Sequence, residues 1–158
     1  RVLAFSTEEA TTRGVRLEPF LARDLPRVVA HPDAIQQVLA NLVRNGIDAM
    51  PEGGSLRVIT RADEDALEIA VEDTGTGISD EDLPHIFEAF YTTKPGVQGI
   101  GLGLFVSEGI IRGHRGRLSV ESRFGEGSRF VVRLPRETLD ETLSGEAGGA
   151  PARTAIRA

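Results

Sequence analysis

Between His31 and Met50 the chain keeps a single helical period, and no other stretch restricts the fold as tightly. At about 100° per residue, Ile35, Val38, Leu39, Leu42, Val43, Ile47 and Met50 fall on one broad arc. An apolar face that wide has to be covered by a sheet or by other helices. Pro32 suits a first helical turn, and Pro51 with Gly53-Gly54 closes the far end. A narrower stripe of Gln37, Asn41, Asn45 and Asp48 lies beside the arc. Asparagine is a mediocre helix former, so two of them one turn apart are unusual there. They suit a solvated flank. They equally suit a cleft whose amide and carboxylate oxygens hold a hydrated Mg²⁺ that also binds phosphate.

Residues 1–13 read as a short helix stopped by Gly14, and Val15 to Leu21 as a strand, with a second short strand at Arg27 to Ala30. Ser55 to Arg61 and Ala66 to Glu72 form one hairpin. Arg117 to Ser122 and Ser128 to Leu134 form another around Gly125-Glu126-Gly127. Ser79 is a candidate N-cap for a helix running to about Phe87, with Asp80, Glu81 and Asp82 in its first turn. Leu104 to Arg112 is a further helix. Helices interleaved with hairpins predict a two-layer α/β sandwich: a mixed, mostly antiparallel sheet with helices on one face. The apolar pattern stops after Pro135, so residues 1–136 are expected to form the domain and 137–158 a disordered tail.

A chain of 158 residues suffices for one domain with a proper core. Its net charge of −6 argues against a nucleic-acid partner, because phosphate contact calls for a basic face. The absence of cysteine removes disulfides, thiolate metal sites and cysteine nucleophiles. The longest apolar stretch, Val97 to Ile111, is broken by glycines and Glu108, too polar to span a membrane. The first residue is Arg1 and no signal peptide is evident, so a cytoplasmic fragment is expected, a placement that the cytoplasmic part of a membrane-bound sensor would share.

Two glycine-rich segments carry the remaining chemistry. Asp73-Thr74-Gly75-Thr76-Gly77 follows a strand directly. It places a carboxylate at the strand end and strips side chains from around it, so that a flat ring can approach. Such a carboxylate can accept from an exocyclic amine such as that of adenine; an ordinary Asp-Gly turn is the plain alternative. Gly99-Ile100-Gly101-Leu102-Gly103-Leu104 leads into a helix whose free N–H groups attract phosphate. An unliganded hinge fits that segment equally well. Its GxGxG spacing is neither the dinucleotide fingerprint nor the GxxxxGK[ST] loop.

In this order the segments resemble the GHKL superfamily, specifically the ATP-binding catalytic domain of sensor histidine kinases, over roughly Val15 to Pro135. Residues 41–49 are similar to its N box, Asp73 to Gly77 to the G1 box, and Ile86-Phe87-Glu88-Ala89-Phe90 to the F box. Gly99 to Leu104 resembles the G2 box, and Gly125 to Phe130 with Leu134-Pro135 the closing GxGTxFxxxLP pattern. Phe90-Tyr91-Thr92-Thr93-Lys94 looks like the nitrogen-regulation and dicarboxylate-sensing subtype.

The resemblance implies ATP and Mg²⁺ as cofactors, with Asn45 the metal ligand and Asn41 supporting the phosphate side. It implies that Asp73 reads the adenine amine, helped through water by Gly77 and Ser128, with Gly75 and Ile78 lining the same turn. Phe87 to Gly103 would be a mobile lid anchored by Phe87 and Phe90, with Lys94, Gly99, Gly101, Leu102, Gly103 and Leu104 towards the phosphates. Asp48 belongs to the same candidate set, although many relatives carry a lysine there. Gly46 replaces the usual alanine at about 1 kcal/mol in helix propensity. His31 replaces a common aspartate, and Arg115 interrupts the usual His-Gly-Gly.

The resemblance leaves three classes open. Gyrase-, Hsp90- and MutL-like clamps carry a general-base glutamate four residues before the metal-binding asparagine. Asn41 stands there, and an amide cannot take a proton. Transfer to an external nucleophile is therefore favoured over hydrolysis. The acceptor implied is a histidine on a separate dimerising helical hairpin of the same kinase, and a response-regulator receiver domain follows it. None of His31, His85 and His114 sits in the expected acceptor context, so the chain, monomeric and without membrane contact, is not expected to phosphorylate itself. An anti-sigma-factor type serine kinase remains the alternative, and a degenerate contact module is disfavoured by the presence of Asn45 and Asp73.

Overall fold

The computed structural model describes residues 2–93, 100–136 and 154–156. Helix α1 (Val2–Thr12) leads into strand β1 (Val15–Leu21), followed by β2 (Val28–Ala30) and the long helix α2 (Pro32–Asp48). Strands β3 (Gly54–Ala62) and β4 (Ala66–Asp73) precede helix α3 (Gly103–Gly113), and β5 (Arg117–Arg123) and β6 (Gly127–Pro135) close the sheet. The five-stranded order is β1-β3-β4-β6-β5. Only β1 and β3 pair in parallel, joined by the crossover through β2 and α2; the other neighbours are antiparallel. This is the expected sandwich.

Strand alternation decides which face the helices cover. Leu56, Val58, Leu67, Ile69, Val71, Phe130, Val132 and Leu134 are buried on the inner face. They share one core with Val38, Leu42, Val43 and Ile47 of α2 and Ile111 of α3. On the outer face Glu18, Arg57, Glu72, Arg129 and Glu121 stand in register across all five strands, alternating in sign. Arg129 reaches Glu72 at 2.8 Å, Glu68 at 3.2 Å and Glu121 at 3.6 Å. Like charges directly opposite would repel, so this ordering suits a solvated face.

Gly46 has a packing reason. A β-carbon there would lie 2.4 Å from Leu56 Cδ1, so the fully buried leucine fills the space an alanine methyl would take. Beyond α3, Gly116 N–H donates to Ile111 O and Arg115 N–H to Arg112 O, both at 2.9 Å. This bonding pattern is a Schellman motif. Arg115 therefore occupies the left-handed position that glycine usually takes, at φ +57°, for roughly 1–2 kcal/mol.

One expectation is corrected. Residues 79–87 form successive turns rather than a helix. Ser79 does cap the segment, its hydroxyl accepting from Asp82 N–H at 3.1 Å, and Leu83 N–H bonds back to Ser79 O at 3.0 Å. Pro84 then has no N–H with which to continue the ladder. Further on, Thr154–Ile156 form a short strand β7 antiparallel to β2; the rest of the expected tail, residues 137–153 and 157–158, lies outside the described residues.

Candidate nucleotide site

Asp73 ends β4 on the inner, helix-facing side of the sheet, paired in register with Leu56 and Ser128. It is 8% exposed, the one buried carboxylate among the described residues. Burial pushes its carboxyl above the ordinary aspartate range, and backbone N–H groups of Gly75 and Ser128 offset part of that shift. The Gly75 bond is 2.9 Å long.

The turn after Asp73 is clamped from two sides. Thr76 N–H donates to Ala49 O at 2.9 Å, and a β-carbon on Gly75 would lie 2.4 Å from that same carbonyl. Gly77 has φ +66° and approaches so closely that a β-carbon would sit 2.0 Å from Arg123 O. Both the backbone conformation and the space thus require glycine at 77. Gly125 N–H donates to Thr76 O at 2.7 Å, fixing the turn to the β5–β6 hairpin.

On α2, Asn41 and Asn45 lie one turn apart, both half-buried. Asn41 Nδ2 donates to Ser107 Oγ of α3 at 3.1 Å, tying the two helices together. Its Oδ1 lies at the start of α3, 2.5 Å from where a β-carbon of Gly103 would be. Glycine at 103 thus leaves room for the amide. Gly103→Ala is expected to keep the melting temperature within a few degrees, because gained helix propensity offsets a displaced side chain. It should weaken Mg-ATP binding several-fold by displacing Asn41, measured by calorimetry beside a melting curve. Unchanged affinity would show that Asn41 is not part of the site.

The Asn45 side chain takes no hydrogen bond among the described residues, leaving its amide oxygen available. Those residues hold no group of three His, Asp or Glu able to cage a metal. A single amide oxygen suits Mg²⁺, which keeps several waters and shares its shell with substrate phosphates. Asn45 therefore fits as the protein ligand of a phosphate-bound metal. Asp48 is differently employed: Arg13, just past α1, meets its carboxylate at 3.1 Å. That ion pair gives the charge a structural partner, and a carboxylate repels phosphate.

The segment leading to α3 is held at its stem. Phe90 N–H donates to Gly101 O at 2.9 Å, and Gly101 has φ +71°. Leu102 occupies the N-cap of α3 and accepts from Val106 N–H at 2.9 Å; Leu104 packs on the core. Phe87 packs on the core as expected. Phe90 does not anchor by its ring, which is 71% exposed. The aromatic that is tied down is its neighbour, whose Tyr91 hydroxyl donates to Asp82. Bonds from Ser79 and then Tyr91 hold the Asp82 carboxyl below the ordinary aspartate range. Lys94 and Gly99 lie outside the described residues.

Each of the three histidines has a hydrogen-bond partner within the fold. His114 Nε2 accepts from His31 N–H at 3.0 Å, and Nδ1 lies 2.7 Å from Ile110 O. A carbonyl only accepts and a backbone amide only donates, so Nδ1 carries the proton and the ring joins the end of α3 to the start of α2. His85 pairs with Glu88 on the surface.

Comparison with known proteins meets this geometry. The family model described as histidine kinase-, DNA gyrase B- and HSP90-like ATPase matches residues 30–138, more than half of the chain. The chain belongs to this ATPase family. Within it, the chain is 37% identical over 140 residues to sporulation kinase E of Bacillus subtilis, covering 87% of this chain and 19% of that protein. It is 38% identical over 134 residues to the sensor histidine kinase ZraS of Escherichia coli K12, covering 84% and 28%. With FixL of Bradyrhizobium diazoefficiens it shares 38% over 129 residues, covering 80% and 25%. The chain thus spans only 19–28% of the length of these relatives. Among solved structures, the nucleotide-free catalytic domain of histidine kinase ThkA superposes with TM-score 0.75 at 29% identity, covering 85% of this chain and 89% of that one. Full-length ShkA in complex with AMPPNP gives TM-score 0.77 at 26% identity, covering 87% and 29%.

The matched region, residues 30–138, contains the clamped turn, the paired asparagines and the glycine-led helix. One participant escaped the sequence reading. Ser122 joins Ile78, Gly127 and Ser128 through its hydroxyl. A serine in an alternating strand carries no signal of that role, and only the meeting of the hairpin with the Asp73 turn reveals it.

Proposed function

We propose that this domain binds Mg-ATP and supplies the γ-phosphoryl group to a histidine on a separate dimerising helical hairpin, in two-component signalling. The observation that carries the proposal is Asn41. It stands one turn before the proposed metal ligand Asn45, where a hydrolysing clamp needs a base, and its amide is bonded to Ser107. An amide cannot accept the proton of an attacking water. The names of the curated relatives, sensor and sporulation kinases, support the same reading. Asp73 would accept the adenine amine, and the backbone N–H groups at the start of α3 would face the phosphates. Asn45 would hold a Mg²⁺ whose contribution is to neutralise charge on the transferring phosphoryl group.

The partners follow from this reading: the hairpin of the same kinase, and then a receiver domain of a response regulator. No described helix is long and apolar enough to cross a membrane. The finer likeness to nitrogen-regulation kinases rests on the run from Phe90 to Lys94 and on nothing else.

Phosphoryl transfer depends on positioning and charge stabilisation, so nucleotide without its acceptor is expected to be nearly inert. The isolated chain should bind Mg-ATP with negligible hydrolysis and no self-labelling by radioactive ATP. Adding the cognate hairpin as a separate polypeptide should produce phosphohistidine on the hairpin. Label on His31, His85 or His114, or sustained hydrolysis by the chain alone, would refute the proposal.

A further inference from the structure

Two segments, the turn after β4 and the start of β6, converge on one hydroxyl, that of Ser122 in β5. Its Oγ accepts from Ile78 N–H at 2.8 Å, lies 3.0 Å from Gly127 O, and is 2.9 Å from Ser128 Oγ. A hydroxyl has one proton and two lone pairs. A backbone amide can only give, so it takes one lone pair. A carbonyl can only receive, so it takes the single proton. Towards Ser128 nothing remains but the second lone pair, and Ser128 must therefore be the donor.

This fixes the polarity of a second group. Ser128 is 7% exposed and pairs in register with Asp73, and directly paired residues carry their side chains on one face of a sheet. With its proton turned to Ser122, the Ser128 oxygen has only lone pairs left for a ligand. The Asp73 carboxylate beside it is likewise an acceptor, its Oδ1 already receiving Gly75 N–H. The end of β4 and the start of β6 thus present acceptors side by side. A base edge read there directly has to supply protons. The exocyclic amine of adenine does so; the carbonyl that guanine carries at that place does not.

We propose that Ser122 is a specificity-determining positioning residue, which selects adenine by holding the Ser128 hydroxyl as an acceptor. It does not touch the base. The inference rests on the reading of Asp73 as the adenine contact. Without Ser122, Ser128 is free to turn its proton towards the ligand and become a donor, which a guanine carbonyl accepts.

The test is the ratio of dissociation constants for ATP and GTP, measured with Mg²⁺ on the whole chain by calorimetry. Ser122→Ala is expected to reduce the preference for ATP by roughly tenfold, on the scale of one redirected hydrogen bond. Ser122→Cys keeps the shape but accepts weakly and should give a smaller reduction, so it serves where the alanine variant fails to fold. Ser122→Thr retains the hydroxyl and should restore most of the preference. In Ser128→Ala the oxygen being oriented is gone, and adding Ser122→Ala should then change the ratio little. A merely structural serine would weaken both nucleotides together and leave the ratio where it was. That result, with Asp73→Asn still collapsing the ratio, overturns the role of Ser122 and leaves the Asp73 reading standing. A ratio unmoved by Asp73→Asn overturns that reading and this inference with it.

Discussion

Asn45→Ala should lower phosphoryl transfer to a supplied hairpin histidine by on the order of 10²–10³-fold, the scale for losing one electrostatic stabiliser of a transition state. The fold should not suffer. The Asn45 side chain makes no hydrogen bond among the described residues, and alanine is the better helix former. The melting temperature of the free domain is therefore expected to hold or to rise slightly. Chelation separates the metal from the amide. With Mg²⁺ present the variant should bind ATP more weakly than the parent, and with EDTA the two should bind alike. Equal weakening under both conditions would mean that Asn45 contacts the nucleotide without a metal, and full transfer activity would remove it from the site.

Asp73→Asn should cost about 1–3 kcal/mol of ATP affinity, since it converts half of a buried acceptor into a donor. It should also erase a pH dependence. Burial raises the folded-state pKa of Asp73 above its ordinary value. The ionised group then costs the folded domain stability at high pH, and this cost is relieved as pH falls through the raised pKa towards the ordinary aspartate value. Nucleotide binding runs the other way. An amine donor is held best by the carboxylate, so affinity for ATP should begin to fall at a pH above that of an ordinary aspartate, while the unliganded domain gains this contribution. Binding isotherms across that acid range should show the limb in the parent and not in Asp73→Asn. A parent whose affinity is flat down to the ordinary aspartate range would show that Asp73 does not titrate in the free site.

The Asp73 turn and the Asn41–Asn45 pair were legible because each imposes a local demand: a carboxylate at a strand end, or amides on a helix beside an apolar arc. At Phe90 and Asp48 the structure adds contacts that the local pattern does not show. A phenylalanine in a lid motif reads as an anchor. In the structure its backbone is left-handed at φ +66° and the ring points to solvent, while Tyr91 reaches Asp82 instead. An aspartate on the asparagine stripe reads as part of the stripe, yet Arg13, which follows a different helix, engages it. In both cases a partner distant in sequence decides the matter.

Strands, the long helix α2 and the sandwich were set by periodicity, because a face that alternates every two or every 3.6 residues has to be buried and the solutions are few. The expectation of a helix from Ser79 to Phe87 passed over Pro84, whose missing N–H stops that segment from becoming the helix its cap suggests. What only the tertiary structure decided is direction. Hydrogen bonds between segments fix which way a hydroxyl proton points at Ser122, which nitrogen of His114 carries hydrogen, and where Asn41 can sit once Gly103 leaves it room. Those choices depend on donors and acceptors brought together from separate elements. No local pattern encodes them, since the energy that selects them exists only after the sheet and helices have closed on one another.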